Sequence, residues 1–168
     1  MGACEHNRMT EIRYKPIGFV NSPFQEIVEM PIQASRASEI RGTIEILPDF
    51  EKGLKDLEGF SHVILLYHFH QVKSARLVVT PFLDSERHGI FATRAPTRPN
   101  PIGLSVVRLL KREGNVLHIA NVDVVDGTPL LDIKPYISEF DTPVADRFGW
   151  LEKRKERVES KKSDDRFR

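Results

Sequence analysis

Leu104-Ser-Val-Val-Arg-Leu-Leu110, Glu113-Gly114-Asn115 and Val116-Leu-His-Ile-Ala-Asn-Val-Asp-Val-Val125 read as strand, turn and strand. Two runs rich in β-branched residues around a Gly-Asn step are a hairpin signal. Upstream, Ser61 to Phe69 holds the unbroken apolar run Val63-Ile-Leu-Leu-Tyr67, which predicts a strand buried on both faces. Further strands are expected at Tyr14–Val20, Gly42–Leu47, Arg76–Thr80 and Gly89–Thr93. Gly127-Thr-Pro129 turns the chain into Leu130–Ile133, and Pro135 ends that element. Phe50, Leu54 and Leu57 lie at helical spacing over Asp49–Leu57, with Gly59 as a C-cap. Residues 26–34 carry Pro31 and irregular spacing, and read as loop. Short strands punctuated by turns every ~10 residues point to a mainly β sheet or barrel with a few short helices. The strand–helix rhythm and Gly-rich fingerprint of a dinucleotide fold are missing.

The 168 residues bound this to one domain with a proper core. Residues 13–151 form the expected body, 1–12 a flexible N-terminus, and 152–168 a charged tail that starts as a fraying helix. Residues 140–151 should pack helically or irregularly on the body. No apolar run approaches the ~20 residues of a membrane span, and the first residues lack the apolar segment of a leader. The lone Cys4 excludes an internal disulfide framework. A cytoplasmic protein without membrane contact is the expectation.

Net charge is +1 but unevenly spread. No Asp or Glu occurs from His88 through Arg112, whereas Arg94, Arg98, Arg108, Lys111 and Arg112 do. Within that stretch, Gly89-Ile-Phe-Ala-Thr-Arg-Ala-Pro-Thr-Arg-Pro-Asn-Pro-Ile-Gly-Leu104 carries prolines at 96, 99 and 101. Each fixes φ and presses the preceding residue toward extended geometry. The result is a stiff loop that presents Arg94, Arg98 and Asn100 at small entropic cost. Basic groups on such a loop suit a phosphate or polyanion partner. The competing reading is a Pro-rich connection with solvated arginines.

His62, His68 and His70 share one parity, so a regular strand would place them on one face. A metal site there needs a third ligand and a carboxylate at recognisable spacing, and none is in sight; no metal is expected. Asp123, Asp126 and Asp132 surround the Gly127-Thr-Pro129 turn. Carboxylates at a strand end can accept hydrogen bonds from a ligand or take a proton. The alternative is turn chemistry, with Asp126 capping backbone amides.

Five motifs occur in order: Ile17-Gly-Phe-Val-Asn-Ser-Pro-Phe24; Gly59-Phe-Ser-His62 with Phe69-His-Gln71; Gly89-Ile-Phe-Ala-Thr-Arg94; Arg98-Pro-Asn-Pro-Ile-Gly103; and Asp126-Gly-Thr-Pro129 with Asp132-Ile-Lys-Pro-Tyr136. Together they resemble the TrmO (TsaA-like) family of S-adenosylmethionine-dependent tRNA methyltransferases, over roughly residues 14 to 151. The resemblance implies a single-sheeted β-barrel and a homodimer with the cofactor near the subunit interface. It implies methylation of N6 on threonylcarbamoyladenosine beside the anticodon of tRNA. By motif position it implies S-adenosyl-L-methionine contacts from Pro31, Ile32, Gln33, His70, Gln71, Arg94 and Leu104, and from Asp123, Val124, Val125, Asp126 and Gly127. Lys134 and Tyr136 resemble the part that closes the same pocket.

Those residue types suit the chemistry. Methyl transfer from a sulfonium is an in-line displacement in which placement supplies most of the rate. Arg94 can pair a carboxylate bidentately. Asp126 and Tyr136 are the candidates to take the proton from N6. Arg98, Asn100 and Lys134 are candidate substrate contacts, and Arg108, Lys111 and Arg112 candidate phosphate contacts on the anticodon loop. The rival is a non-catalytic β-barrel that binds RNA or a nucleotide.

Overall fold

In the computed structural model, residues 11–26, 40–82 and 84–152 are described below. Six antiparallel strands close a barrel: β1 (Gly18–Asn21), β2 (Arg41–Ile46), β3 (His62–His68), β6 (Ile102–Glu113), β7 (Val116–Ala120) and β8 (Thr128–Pro135). Their order around the barrel is β1-β2-β7-β6-β3-β8. Closure leaves no unpaired edge. β4 (Val78–Val79) and β5 (His88–Gly89) form a separate two-stranded ribbon.

The expected hairpin is β6–β7, with Glu113 opposite Val116 and Gly114 at φ +61° in the turn. Asn115 ties that turn to β2, because its Nδ2 donates to the Ile46 carbonyl at 2.7 Å. Side chains alternate along each strand, and the inward set fills the barrel. Val20, Ile44, Val63, Leu65, Val107, Leu117, Ile119 and Leu130 are all fully buried. Leu54 plugs one end from the 3₁₀ turn Pro48–Leu54, and Val122 and Val124 pack into the same core.

Several expectations are corrected. β3 is not buried on both faces: Val63, Leu65 and Tyr67 point inward, while Ile64 and Leu66 are half-exposed. A barrel has one inside, so an all-apolar run still alternates. The second hairpin strand ends at Ala120 rather than Val125, because Asn121 takes φ +66° and turns the chain. Gly89–Thr93 is mostly the 3₁₀ turn Ile90–Ala92, not a strand. The helix expected at Asp49–Leu57 is two 3₁₀ turns, broken by Asp56 at φ +66°. The first strand begins only at Gly18, where a Cβ would meet the Glu45 carbonyl oxygen at 2.3 Å. Prolines 99 and 101 do hold Arg98–Pro101 out of the sheet, and β6 starts at Ile102.

Beyond β8, α1 (Ser138–Asp141) is a single turn with Phe140 exposed, and Val144 is fully exposed. Only the end of this segment docks: the Trp150 indole stacks on the His88 imidazole, with ring centroids 4.7 Å apart. The expected helical tail and most of the flexible N-terminus lie outside the described residues. No helix among them is long and apolar enough to cross a membrane.

Candidate functional site

Three segments meet at one end of the barrel: the Pro-rich loop 93–101, the start of β6, and the turn 121–127 that follows β7. They border an open groove of about 710 Å³ that continues along β6 to His62 and Tyr136, within the range of small-molecule sites. Arg94, Arg98, Leu104, Asp123 and Tyr136 line it. A second hollow, of about 80 Å³, is lined by His70, Gln71, Pro96 and Val125. The Phe69 ring belongs to the wall of both. The candidates from three separate motifs are thus brought to one place, divided by one aromatic ring.

The turn that carries the aspartates is built by β1. Ser22 N donates to Asp126 Oδ1 at 2.9 Å, and Ser22 Oγ donates to the Val124 carbonyl at 2.6 Å. Asp126 N and Gly127 N donate to the carbonyls of Phe24 and Val20. Gly127 sits at φ +71°, which favours glycine. Asp126 therefore caps and pins this turn and lines neither hollow, and Val124 is core. Asp123 does face the large cavity. Ser105 Oγ donates to Asp123 Oδ1 at 2.6 Å, and the Tyr67 hydroxyl lies 3.0 Å from Ser105 Oγ.

Arg94 and Arg98 diverge. Arg98 Nη1 donates to the carbonyls of Thr93 (2.8 Å), Ile90 (3.2 Å) and Ala95 (3.4 Å). Its guanidinium also lies 5.8 Å from the centre of the Phe91 ring. With prolines removing local donors, the loop's carbonyls are satisfied by its own arginine. Arg94 is exposed and makes no ion pair among the described residues. Asn100 is exposed outside both hollows, and Lys134 is tied to Asp132 at 2.8 Å, also outside them. Tyr136 sits edge-on to His62, 6.2 Å between ring centres.

His70 lies beyond β3, off the face that His62 and His68 share. Its Nδ1 is 3.3 Å from Thr128 Oγ1, which donates its own hydrogen to the Val125 carbonyl at 2.7 Å. A hydroxyl has one hydrogen, so Nδ1–H of His70 must be the donor and Nε2 is left as an acceptor. Burial, and then neighbouring His68, hold the His70 imidazole below its ordinary value. Pro31, Ile32 and Gln33 lie outside the described residues.

Tyr67 and Ser105 were missed in the sequence. They are hydroxyl-bearing residues at inward positions, and which positions face inward depends on how the barrel closes.

A family model described as the tRNA-methyltransferase O N-terminal domain matches residues 19–142. A probable S-adenosyl-L-methionine-binding protein of Pyrococcus abyssi is 58% identical over 156 residues, 93% of this chain and 85% of that protein. A mouse tRNA (adenine(37)-N6)-methyltransferase is 40% identical over 144 residues, 82% of this chain but 32% of that protein. The crystal structure of TrmO from Pseudomonas aeruginosa superposes with a TM-score of 0.71 at 42% identity, covering 84% of this chain and 63% of that one. The chain thus spans most of one relative and a third to two thirds of the others. With the motifs in order, the closed barrel and a match over most of its length, the chain belongs to the tRNA-methyltransferase O N-terminal domain family.

Proposed function

We propose that this barrel transfers a methyl group from S-adenosyl-L-methionine to N6 of threonylcarbamoyladenosine, beside the anticodon of tRNA. The observation that carries the reading is the pairing of opposite charges on one cavity: Asp123 and Arg94 share its wall with the apolar Phe69 and Leu104. That donor set fits a ligand with an amino-acid head and a flat apolar body. Asp123 would take the ammonium, and Arg94 the carboxylate. His70, Gln71 and Val125 would hold the part of the ligand beyond Phe69. When bound, the cofactor supplies a methyl group on a sulfonium, and the chain's own groups place the acceptor nitrogen in line with it.

Tyr136 lines the large cavity and is the better placed of the two proton-acceptor candidates, since Asp126 is committed to its turn. Of the expected phosphate contacts, Arg108 is exposed on the outer face of β6. Arg112 is instead held by Glu58 at 3.2 Å and by the Leu54 carbonyl at 3.3 Å, closing the far end of the barrel. Exposed Ile102 and Leu104 line the cavity, exposed Phe91 lies beside Arg98, and a homodimer would cover them. We infer a cytoplasmic location from the proposed tRNA substrate.

The test is isothermal titration with S-adenosyl-L-methionine and, separately, ATP, followed by methylation of tRNA bearing threonylcarbamoyladenosine. Micromolar binding of the first with ATP silent, then methyl incorporation, is expected. Binding without incorporation would overturn the substrate. No binding at millimolar cofactor would favour the RNA-binding module.

A further inference from the structure

We propose that Tyr67 and Ser105 are positioning residues that hold the Asp123 carboxylate in one orientation at the cavity wall. The inference rests on the reading of that cavity as the cofactor site. The three residues form one directed chain. The Ser105 hydroxyl donates its one hydrogen to Asp123 Oδ1 across 2.6 Å. With that hydrogen committed, the contact of 3.0 Å between Tyr67 and Ser105 must be donated by the tyrosine hydroxyl. Both side chains lie inside the barrel, with Tyr67 5% and Ser105 3% exposed. Burial, reinforced by the Asp123 charge, pushes the Tyr67 phenol well above its ordinary value, so it remains a donor.

The surroundings are arranged for this tyrosine. Tyr67 stands opposite Gly103, where a Cβ would fall 2.2 Å from its ring. Phe69 packs edge-on against it at 5.4 Å. The β3–β8 register shifts between Leu66 and Tyr67, so Leu131 has no partner on β3. A Phe–Ala pair would fill the same interior without burying two hydroxyls, which are tolerated only when hydrogen-bonded. The chain leads to a carboxylate that lines the cavity, a group suited to a ligand cation.

The experiment is calorimetric titration of S-adenosyl-L-methionine into wild type, Tyr67→Phe, Ser105→Ala, the double variant and Ser105→Thr, each also melted. Ser105→Ala is expected to raise Kd about tenfold or more, the loss of a hydrogen bond to a charged group. Tyr67→Phe should raise it several-fold, and Ser105→Thr should restore most of the loss. In the double variant, Tyr67→Phe should add nothing, because it acts through Ser105. Variants that melt as wild type and bind as wild type would overturn the inference, as would independent, additive losses. A wild type that binds no S-adenosyl-L-methionine would instead overturn the cofactor reading, and this inference with it.

Discussion

Trp150 Nε1 donates to the Ala92 carbonyl at 2.9 Å while its indole stacks on His88. His88 Nε2 in turn lies 3.1 Å from the nearly buried carboxylate of Asp84. The segment after β8 is thereby fastened to the 3₁₀ turn that leads into Arg94. Trp150→Ala should therefore loosen the Pro-rich loop without unfolding the barrel, a local loss of roughly 1–2 kcal/mol. Hydrogen exchange should speed up over residues 88–98 and stay unchanged in β2 and β7. Cofactor affinity should fall with it, and Trp150→Phe, which keeps a stack but no donor, should fall between.

The two loop arginines are expected to separate in a single experiment. Arg98→Ala strips a donor from three carbonyls and should lower the melting temperature, and Arg98→Lys should rescue it poorly, lacking the planar fork. Arg94→Ala should leave melting unchanged and weaken cofactor binding tenfold or more. Wild-type affinity in Arg94→Ala would remove that residue from the site.

How far the sequence reached is clear from these residues. The hairpin around Glu113-Gly114-Asn115 was legible because turn chemistry is local. The clustering of Arg94, Leu104 and Asp123 followed from motif order. The inward polar chain was hidden, because Val63-Ile-Leu-Leu-Tyr67 carries no alternation and which face is inside depends on barrel closure. The end of β7 was hidden too: Asn121 adopts a positive φ, and the turn it opens is anchored at Val124 and Asp126 by Ser22, about 100 residues earlier. The tie of Arg98 to its own loop was hidden as well, since its partners are main-chain carbonyls that no side-chain pattern reveals.

His70 gives a pH dependence whose sign can be worked out. Its folded value lies below the ordinary 6.5. Below pH 6.5 the unfolded chain binds the proton more readily than the native one, so stability rises with pH through that window. The contribution is fully present above 6.5 and is lost as pH falls through the folded value. His70→Gln should flatten the melting-temperature profile between pH 7 and 5, and in wild type the His70 imidazole should titrate below 6.5 by NMR. A His70 that titrates above 6.5 would contradict the effect of its burial and of neighbouring His68.

Gly103→Ala tests how tightly the interior is built around Tyr67. The added Cβ would lie 2.2 Å from Cε2 and 2.5 Å from Cζ of that ring, and 2.9 Å from Phe69 Cζ. None of these is a flexible chain end, so the rings must move together, and overpacking of this kind costs about 1–3 kcal/mol. Ring movement would also stretch the contact with Ser105, so affinity for S-adenosyl-L-methionine should fall along with the melting temperature. The reversion is built in: Gly103→Ala combined with Tyr67→Leu removes the ring and should recover stability but not affinity. Recovery of both would mean that Tyr67 serves the core alone.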